Sequence, residues 1–344
     1  MHTAWRMGAP VIITAGFPPT AVMGSMKGSR EEGGHIWMQE VYDQNGIVRN
    51  YTKWQRQLTY MDHPGITASR AVQVARSEPQ GPVYLTVPKE LSLMPVRSAN
   101  FPRAEQLGIP RPSMPDPQSM EELARKLVEA EFPVVVVSGS GRNKASVPAL
   151  VRLCELLGLA VTDSVSRCHL SFPFDHPLFQ QGLDLQKADV VLVLEADVPW
   201  VPGRNGPRDD AWIATVSVDP AKTRFPMYEF VANMRLQGDA LLTVDALTAA
   251  AEKLLGDDER QKIASRKSAL AQTSAARRNE LVTAAKSRAT ASPIDPSYAA
   301  WLLTEVLDDN CILLDDTISQ NPMGAYVRQS IPGSYITVSY THLT

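Results

Sequence analysis

The sequence predicts an α/β protein of three consecutive doubly wound, mostly parallel sheet domains, the first and the last incomplete. Three observations carry this reading. Short apolar runs closed by Gly or Pro recur along the chain at the length of buried strands, and helical stretches with an apolar stripe fall between them. Strands that alternate with helices return parallel to one another and are covered by those helices. The length of 344 residues exceeds what one hydrophobic core usually serves.

The elements follow in order. Residues 10–16 (PVIITAG) and 81–88 (GPVYLTVP) are apolar runs bounded by Gly or Pro and predict buried strands. Between them, residues 65–77 place Ile66, Val72 and three alanines at helical spacing after an Asp-His-Pro opening, which predicts a crossing helix. These elements make a first unit over 1–97. Residues 98–117 are Pro-rich and aperiodic and predict a linker. A second unit over 118–256 alternates helix 120–130, strand 133–138, helix 147–157 and strand 159–162, then strands 189–194 and 213–218 and helix 239–255. Residues 257–294 are rich in Ala, Lys, Arg and Glu and predict a solvated helical connector. A third unit, 295–344, begins with helix 298–307 and strand 311–314.

Composition narrows the function classes. The hydrophobic fraction is 44%, the charged fraction 21% and the formal net charge −3, with no Lys/Arg run of the kind that tracks phosphates, so a nucleic-acid partner is not expected. No apolar run reaches the roughly 18 residues of a membrane span, and the first residues lack a signal peptide's regions. Cys154, Cys168 and Cys311 form no CxxC or Cys/His spacing and predict reduced, buried thiols in a cytoplasmic protein. Nothing in the sequence pairs His35, His63, His169 or His176 with a carboxylate or a nucleophile at a defined catalytic spacing, and His63 and His176 each precede a Pro in a turn, which favours structural roles.

Three stretches in this order resemble the thiamine-diphosphate-dependent enzymes that include acetolactate synthase, benzoylformate decarboxylase and pyruvate decarboxylase. GAPVIITAG, HIWMQEVYDQNGIVRNYTKW and GPVYLTVPKEL are similar to the second half of a pyrimidine-binding domain. PVVVVSGSG, FPFDHPLFQQG, ADVVLVLEADVPW and VSVDPAK are similar to the central domain, and CILLDDTISQNPMGAYVRQSIPGSYI to the opening of a diphosphate-binding domain. The resemblance implies a 2-keto-acid decarboxylase or carboligase of the acetolactate synthase type, using thiamine diphosphate and Mg2+ and assembling as a homodimer or homotetramer. A benzoylformate-type decarboxylase, a thioester lyase and a non-catalytic nucleotide-binding or regulatory relative are the alternatives.

The resemblance also nominates residues. Gln39, in WMQE, matches a Gln that lies near cofactor and substrate in acetolactate synthases, and Lys53, in YTKW, matches a Lys of the same segment. A surface or helix-capping Gln and a solvated Lys are the plain alternatives. Ser319, Gln320 and Asn321 follow a strand, where short polar side chains can reach a diphosphate, or can simply cap the next helix. Ser138-Gly139-Ser140-Gly141 reads either as a phosphate-cradling turn or as a tight corner. The family's activating Glu lies upstream of the strand matching PVIITAG, and its Mg2+ ligands lie beyond Ile336. The chain as written is therefore expected to be inactive alone, with an internal Met at its start and a non-native stretch at its end. No metal ligand is nominated. Some family members bind FAD in the central domain, so FAD stays open as a cofactor, but it is disfavoured because LEADVPWVPGRNG departs from the Arg-containing segment of flavin-containing acetolactate synthases.

Overall fold

The computed structural model describes residues 1–30, 33–60, 63–96, 98–164, 168–316 and 323–337. It divides into two compact units, Met1–Arg111 and Pro112–His342, and the division falls inside the Pro-rich 98–117 stretch.

In the first unit, α1 (His2–Arg6) leads into β1 (Ile12–Phe17), α2 (His35–Gln39), β2 (Trp54–Gln57), α3 (Pro64–Arg76), β3 (Val83–Pro88) and α4 (Lys89–Ser92). The sheet is parallel throughout, in the order β1-β3-β2, with Val83 opposite both Ile12 and Trp54. The most apolar strand takes the centre: β3 is buried along nearly its whole length, whereas β1 and β2 are only partly covered. Helix α3 begins with Pro64, whose fixed φ and missing N–H suit a first turn. It lays Ala71 and Ala75, one turn apart, on Val83 and Leu85. Small side chains on that stripe let helix and sheet approach closely.

The second unit opens with α5 (Pro117–Glu129), β4 (Pro133–Val137), α6 (Ser146–Leu157) and β5 (Ala160–Asp163), followed by β6 (Val190–Leu194), β7 (Trp212–Ser217), β8 (Met234–Gln237) and α7 (Ala240–Glu252). Its five strands are all parallel, in the order β5-β4-β6-β7-β8. Central strands β4 (PVVVV) and β6 (VVLVL) are buried at every position, as expected of a sheet covered on both faces. Asp116 and Asp239 cap α5 and α7, accepting from the amides of Ser119 (2.9 Å) and Leu242 (3.1 Å). Helix α7 packs against both α5 and α6.

The expected connector is one long helix, α8 (Asp257–Lys286), followed by α9 (Pro296–Val306), β9 (Leu313–Asp315), α10 (Met323–Tyr326) and β10 (Tyr335–Thr337). Strands β9 and β10 pair in parallel. This small sheet shares the large sheet's core. His169 bridges Ile336 in antiparallel fashion, the Leu170 amide donates to Tyr335 O (3.2 Å), and the fully buried Tyr335 meets Phe174 edge-on at 5.3 Å. Among the described residues no helix is long and apolar enough to cross a membrane.

Candidate functional site

Strands β1 and β3 run side by side in the same direction and deliver the chain to one edge of their sheet, the edge at which parallel sheets hold ligands. Glu90, the second residue of α4, is fully buried there. Its Oε1 accepts from the Thr20 amide (2.8 Å), the Thr20 hydroxyl and the Ala21 amide (3.1 Å). Burial works against its charge, but these donors outweigh burial and hold the carboxyl below the usual glutamate range. One carboxylate thus pins the loop that leaves β1. The same loop returns over α4 at Gly28, whose φ is +85°, and a Cβ there would stand 3.0 Å from Glu90 Cα.

The next segment is fastened at both ends. Arg30 donates from Nε to Pro19 O (3.1 Å) and from Nη2 to both oxygens of Glu40 (2.5 and 2.6 Å), with its guanidinium 5.5 Å from the Trp37 ring centroid. Beyond α2, Gln44 donates to Gly16 O (2.9 Å) and to the Tyr84 hydroxyl (3.1 Å), and the buried Thr86 hydroxyl donates to Asn45 Oδ1 (3.3 Å). Helix α2, with Gln39 as its last residue, is therefore held at the carboxyl edge of the sheet. Gln39 itself is exposed, and the helix buries only Ile36. Large apolar side chains surround it in the open: Trp37, Met38, Val41 and Tyr42 are all exposed, Met38 to 87%.

Lys53 is half-buried and does a different job. Its ammonium donates to Val74 O (2.7 Å) and Ser77 O (2.6 Å), satisfying the last carbonyls of α3 where the helix dipole favours a cation. Ser319, Gln320 and Asn321 lie outside the described residues. Asp315, just before them, is buried and accepts from the Tyr335 hydroxyl (2.7 Å). Among the described residues no group of three or more His, Cys, Asp and Glu side chains is arranged to hold a metal ion.

At the corner after β4, the Gly139 amide donates to Glu195 O (2.9 Å) and the Gly141 amide to Ser171 Oγ (3.0 Å). A Cβ at Gly141 would meet Leu170 O at 1.9 Å. These amides are spent on the chain itself, which is the geometry of a tight corner. Cys154 and Cys168 are buried free thiols, and Cys311 is half-buried. Burial pushes Cys168 up to about 11, well away from a reactive thiolate. His176, for which the sequence offers no catalytic pairing, stands with Nε2 3.4 Å from Glu155 Oε1, while its Nδ1 accepts from the Leu178 amide (3.2 Å). His169 is held neutral to about pH 4 by burial and by the nearby Arg142.

Sequence reasoning passed over Glu90 and a second polar knot at the ends of β6 and β7. There the buried Lys222 donates to Asp197 (2.9 Å) and Ser217 Oγ (3.2 Å), and Glu195 accepts from the Val218 amide (2.8 Å). Glu195 and Lys222 both adopt positive φ, 49° and 52°. The signal was a charged residue directly after an apolar strand, in LEAD and in VDPAK.

No family model matches the chain. Over 267 residues it is 27% identical to benzoylformate decarboxylase of Pseudomonas aeruginosa, a match spanning 72% of this chain and 46% of that protein. Over 167 residues it is 31% identical to sulfoacetaldehyde acetyltransferase of Castellaniella defragrans, spanning 47% of this chain and 26% of that one. Among solved structures, benzoylformate decarboxylase from Polynucleobacter necessarius matches with a TM-score of 0.70 at 20% identity, covering 97% of this chain and 59% of its own. The thiamine diphosphate-dependent 4-hydroxybenzoylformate decarboxylase of Rhodococcus jostii RHA1 matches with a TM-score of 0.65 at 20% identity, covering 98% of this chain and 60% of its own. The chain's relatives are thiamine-diphosphate-dependent enzymes. It spans less than half the length of these curated relatives. The structural likeness, at such low identity, bears on the fold, and it agrees with the parallel α/β architecture.

A thiamine-diphosphate site fits the described residues in one respect. The edge of β1 and β3, rigidly fastened and flanked by exposed aromatic side chains and the Gln39 amide, suits the face of a planar heterocycle. A diphosphate with its cation calls for clustered oxygen ligands, and the described residues form no such cluster.

Proposed function

We propose that this chain forms the pyrimidine-facing part of a thiamine-diphosphate-dependent enzyme that decarboxylates a 2-keto acid and can pass the remaining unit to an acceptor. The observation that supports this most is the carboxyl edge of β1 and β3, where Glu90, Arg30 and Gln44 fix a loop and a helix while Gln39 and its apolar neighbours stay uncovered. Thiamine diphosphate, when bound, supplies the electron sink for the carbanion left by CO2. Gln39 offers an amide donor to the substrate's carboxylate and orients it without adding charge. Lys53 acts as a positioning residue, because capping α3 sets the start of β2 beside β3. Ser319, Gln320 and Asn321 are proposed to reach the diphosphate, with Mg2+ held by oxygen ligands outside the described residues.

The uncovered apolar side chains around α2 favour assembly. A second subunit's diphosphate-binding domain would bury them and complete the site, so the working enzyme is at least a dimer. A benzoylformate-type substrate is the reading favoured over pyruvate, because a relative that matches 72% of this chain is named a benzoylformate decarboxylase. Reduced thiols favour a cytoplasmic setting.

The test uses a full-length protein carrying this sequence, supplied with thiamine diphosphate and Mg2+ and offered benzoylformate or pyruvate. Aldehyde and CO2 from benzoylformate support the decarboxylase reading, and acetolactate from pyruvate shifts it to the carboligase. Turnover of neither would sink both. Replacing Gln39 by Ala is expected to lower kcat/KM by roughly 10- to 100-fold, the worth of one hydrogen bond to a charged group.

A further inference from the structure

We infer a second ligand site in the Pro112–His342 unit, a cavity of about 350 Å3 that would take a small amphiphilic organic anion, a flat apolar body bearing a carboxylate or phosphate. The cavity lies between the 179–187 segment, the second half of α8 and α10. None of the residues nominated for the keto-acid chemistry lines it.

Two features select the ligand. Four cations line the space, Lys187, Arg277, Arg278 and Arg328, against one carboxylate, Asp184, which is engaged in capping the Gln186 amide (3.1 Å). Their existing partners leave donors to spare. Arg278 gives one bond to Asp175 O (3.1 Å), while Arg277 and Arg328 hold single, half-exposed contacts to Glu280 (3.4 Å) and Glu305 (3.3 Å). Lys187 lines the same space as an exposed residue, its backbone amide donating to Asp184 O (3.3 Å). The floor, by contrast, is apolar and ordered: Phe174, Phe179 and Tyr326 are buried, and the Tyr326 hydroxyl is tied to Leu281 O (3.2 Å). The walls are braced from both sides, since Gln181 donates to Gly324 O (2.8 Å) and the buried Gln180 donates to Leu270 O (3.0 Å). An inorganic anion would leave the aromatic floor bare, and a neutral ring would leave the spare guanidinium donors unused. A molecule with both parts satisfies both, and the volume falls in the range of ordinary small-ligand sites.

Phenyl phosphate and benzoate are the probes, titrated calorimetrically into the purified chain, with inorganic phosphate and benzyl alcohol as single-feature controls. One-to-one binding of either probe in the micromolar range, with at least about tenfold weaker binding of both controls, is expected, and the tighter probe tells phosphate from carboxylate heads. The double variant Lys187→Glu/Arg277→Glu, at two exposed positions that carry no core contact, should weaken the probe by at least about tenfold while leaving the circular dichroism spectrum unchanged. Val282→Trp, which narrows the cavity without touching charge, should weaken it as well. Absence of saturable binding below millimolar probe would overturn the inference. So would equal binding of inorganic phosphate, or undiminished affinity in the charge-reversed variant.

Discussion

A carboxylate that is buried yet ionised is held by its donors, and Glu90 shows how much one such group can organise. Three donors from Thr20 and Ala21 converge on one oxygen, so the charge and the loop conformation sustain each other. Because its folded-state pKa lies below the ordinary 4.5, the stability it contributes is present above that value and is lost as pH falls through the depressed range. Glu90→Gln should lower stability by about 1–2 kcal/mol at neutral pH and flatten the acid limb of a stability-versus-pH curve measured by urea titration. His169 has the same sign through a different cause. Burial and Arg142 keep its imidazole neutral to about pH 4, whereas the unfolded chain takes up a proton near 6.5, so stability drops as pH falls across that window. His169→Gln should remove that drop, and a wild-type curve flat between pH 6.5 and 4 would show the imidazole to be solvated. The thiols give a simpler check: at pH 8 a thiol reagent should label Cys311 in the folded protein and reach Cys154 and Cys168 only on unfolding.

Helix α8 shows what holds an element whose sequence has few large apolar residues. Only Ile263, Leu270 and Ala285 are buried in its thirty residues. Docking depends on Arg266, whose guanidinium donates to Gly158 O (2.9 Å), Ala130 O (2.8 Å), Glu131 O (3.1 Å) and Leu157 O (2.5 Å), the carbonyls left open where α5 and α6 end. Arg266→Ala should therefore cost roughly 2–4 kcal/mol and release α8 to faster amide exchange, while Arg277→Ala, on the exposed face, should leave both unchanged. The Ala, Lys, Arg and Glu content announces a helix here but not the one arginine that anchors it. The other elements divide along the same physical line. Strands β3, β4, β6 and β7 are legible because burial demands continuous apolar runs, whereas β1, expected from its apolar run to be buried, is half-buried or exposed at every position. Helices α5, α7 and α9 are legible from their apolar spacing, but the Asp116 cap that starts α5 falls in the stretch read as linker. Strands β2 (WQRQ) and β8 (MRLQ) are four-residue edge strands with few apolar residues, so no long apolar run announces them. In the site, Gln39 came from family likeness alone. Glu90 looks like any solvated acid until the loop from β1 is seen folding back over it.

At the scale of the molecule, the two units differ in what sustains them. The Pro112–His342 unit has one continuous core, from Met120 on α5 through the β4 and β6 valines to Tyr335 on β10, so the small β9–β10 sheet stands or falls with the large one. The Met1–Arg111 unit rests on Ala71, Ala75, Val83 and Leu85, with β1 and β2 both open along an edge and Val11, Ile12, Met38 and Tyr42 exposed. Apolar burial scales with area at roughly 25 cal/mol per Å2, so so small a cluster with two alanines supplies only a fraction of the other unit's stabilisation. The two units should therefore unfold separately. In a urea titration followed by hydrogen exchange and mass spectrometry, amides of β1 and β3 should lose protection at lower denaturant than those of β4 and β6. Limited proteolysis under mild urea should cut first within the exposed, Pro-rich 98–111 stretch and leave a resistant species beginning near Pro112. If a partner subunit covers the apolar surface around α2, full-length protein in its assembled state should show the first transition shifted toward the second, in proportion to protomer concentration. A single coincident transition in the isolated chain, with equal protection of β3 and β4, would mean that contacts beyond the four-residue cluster sustain the first sheet, and its exposed apolar side chains would no longer argue for a covering partner.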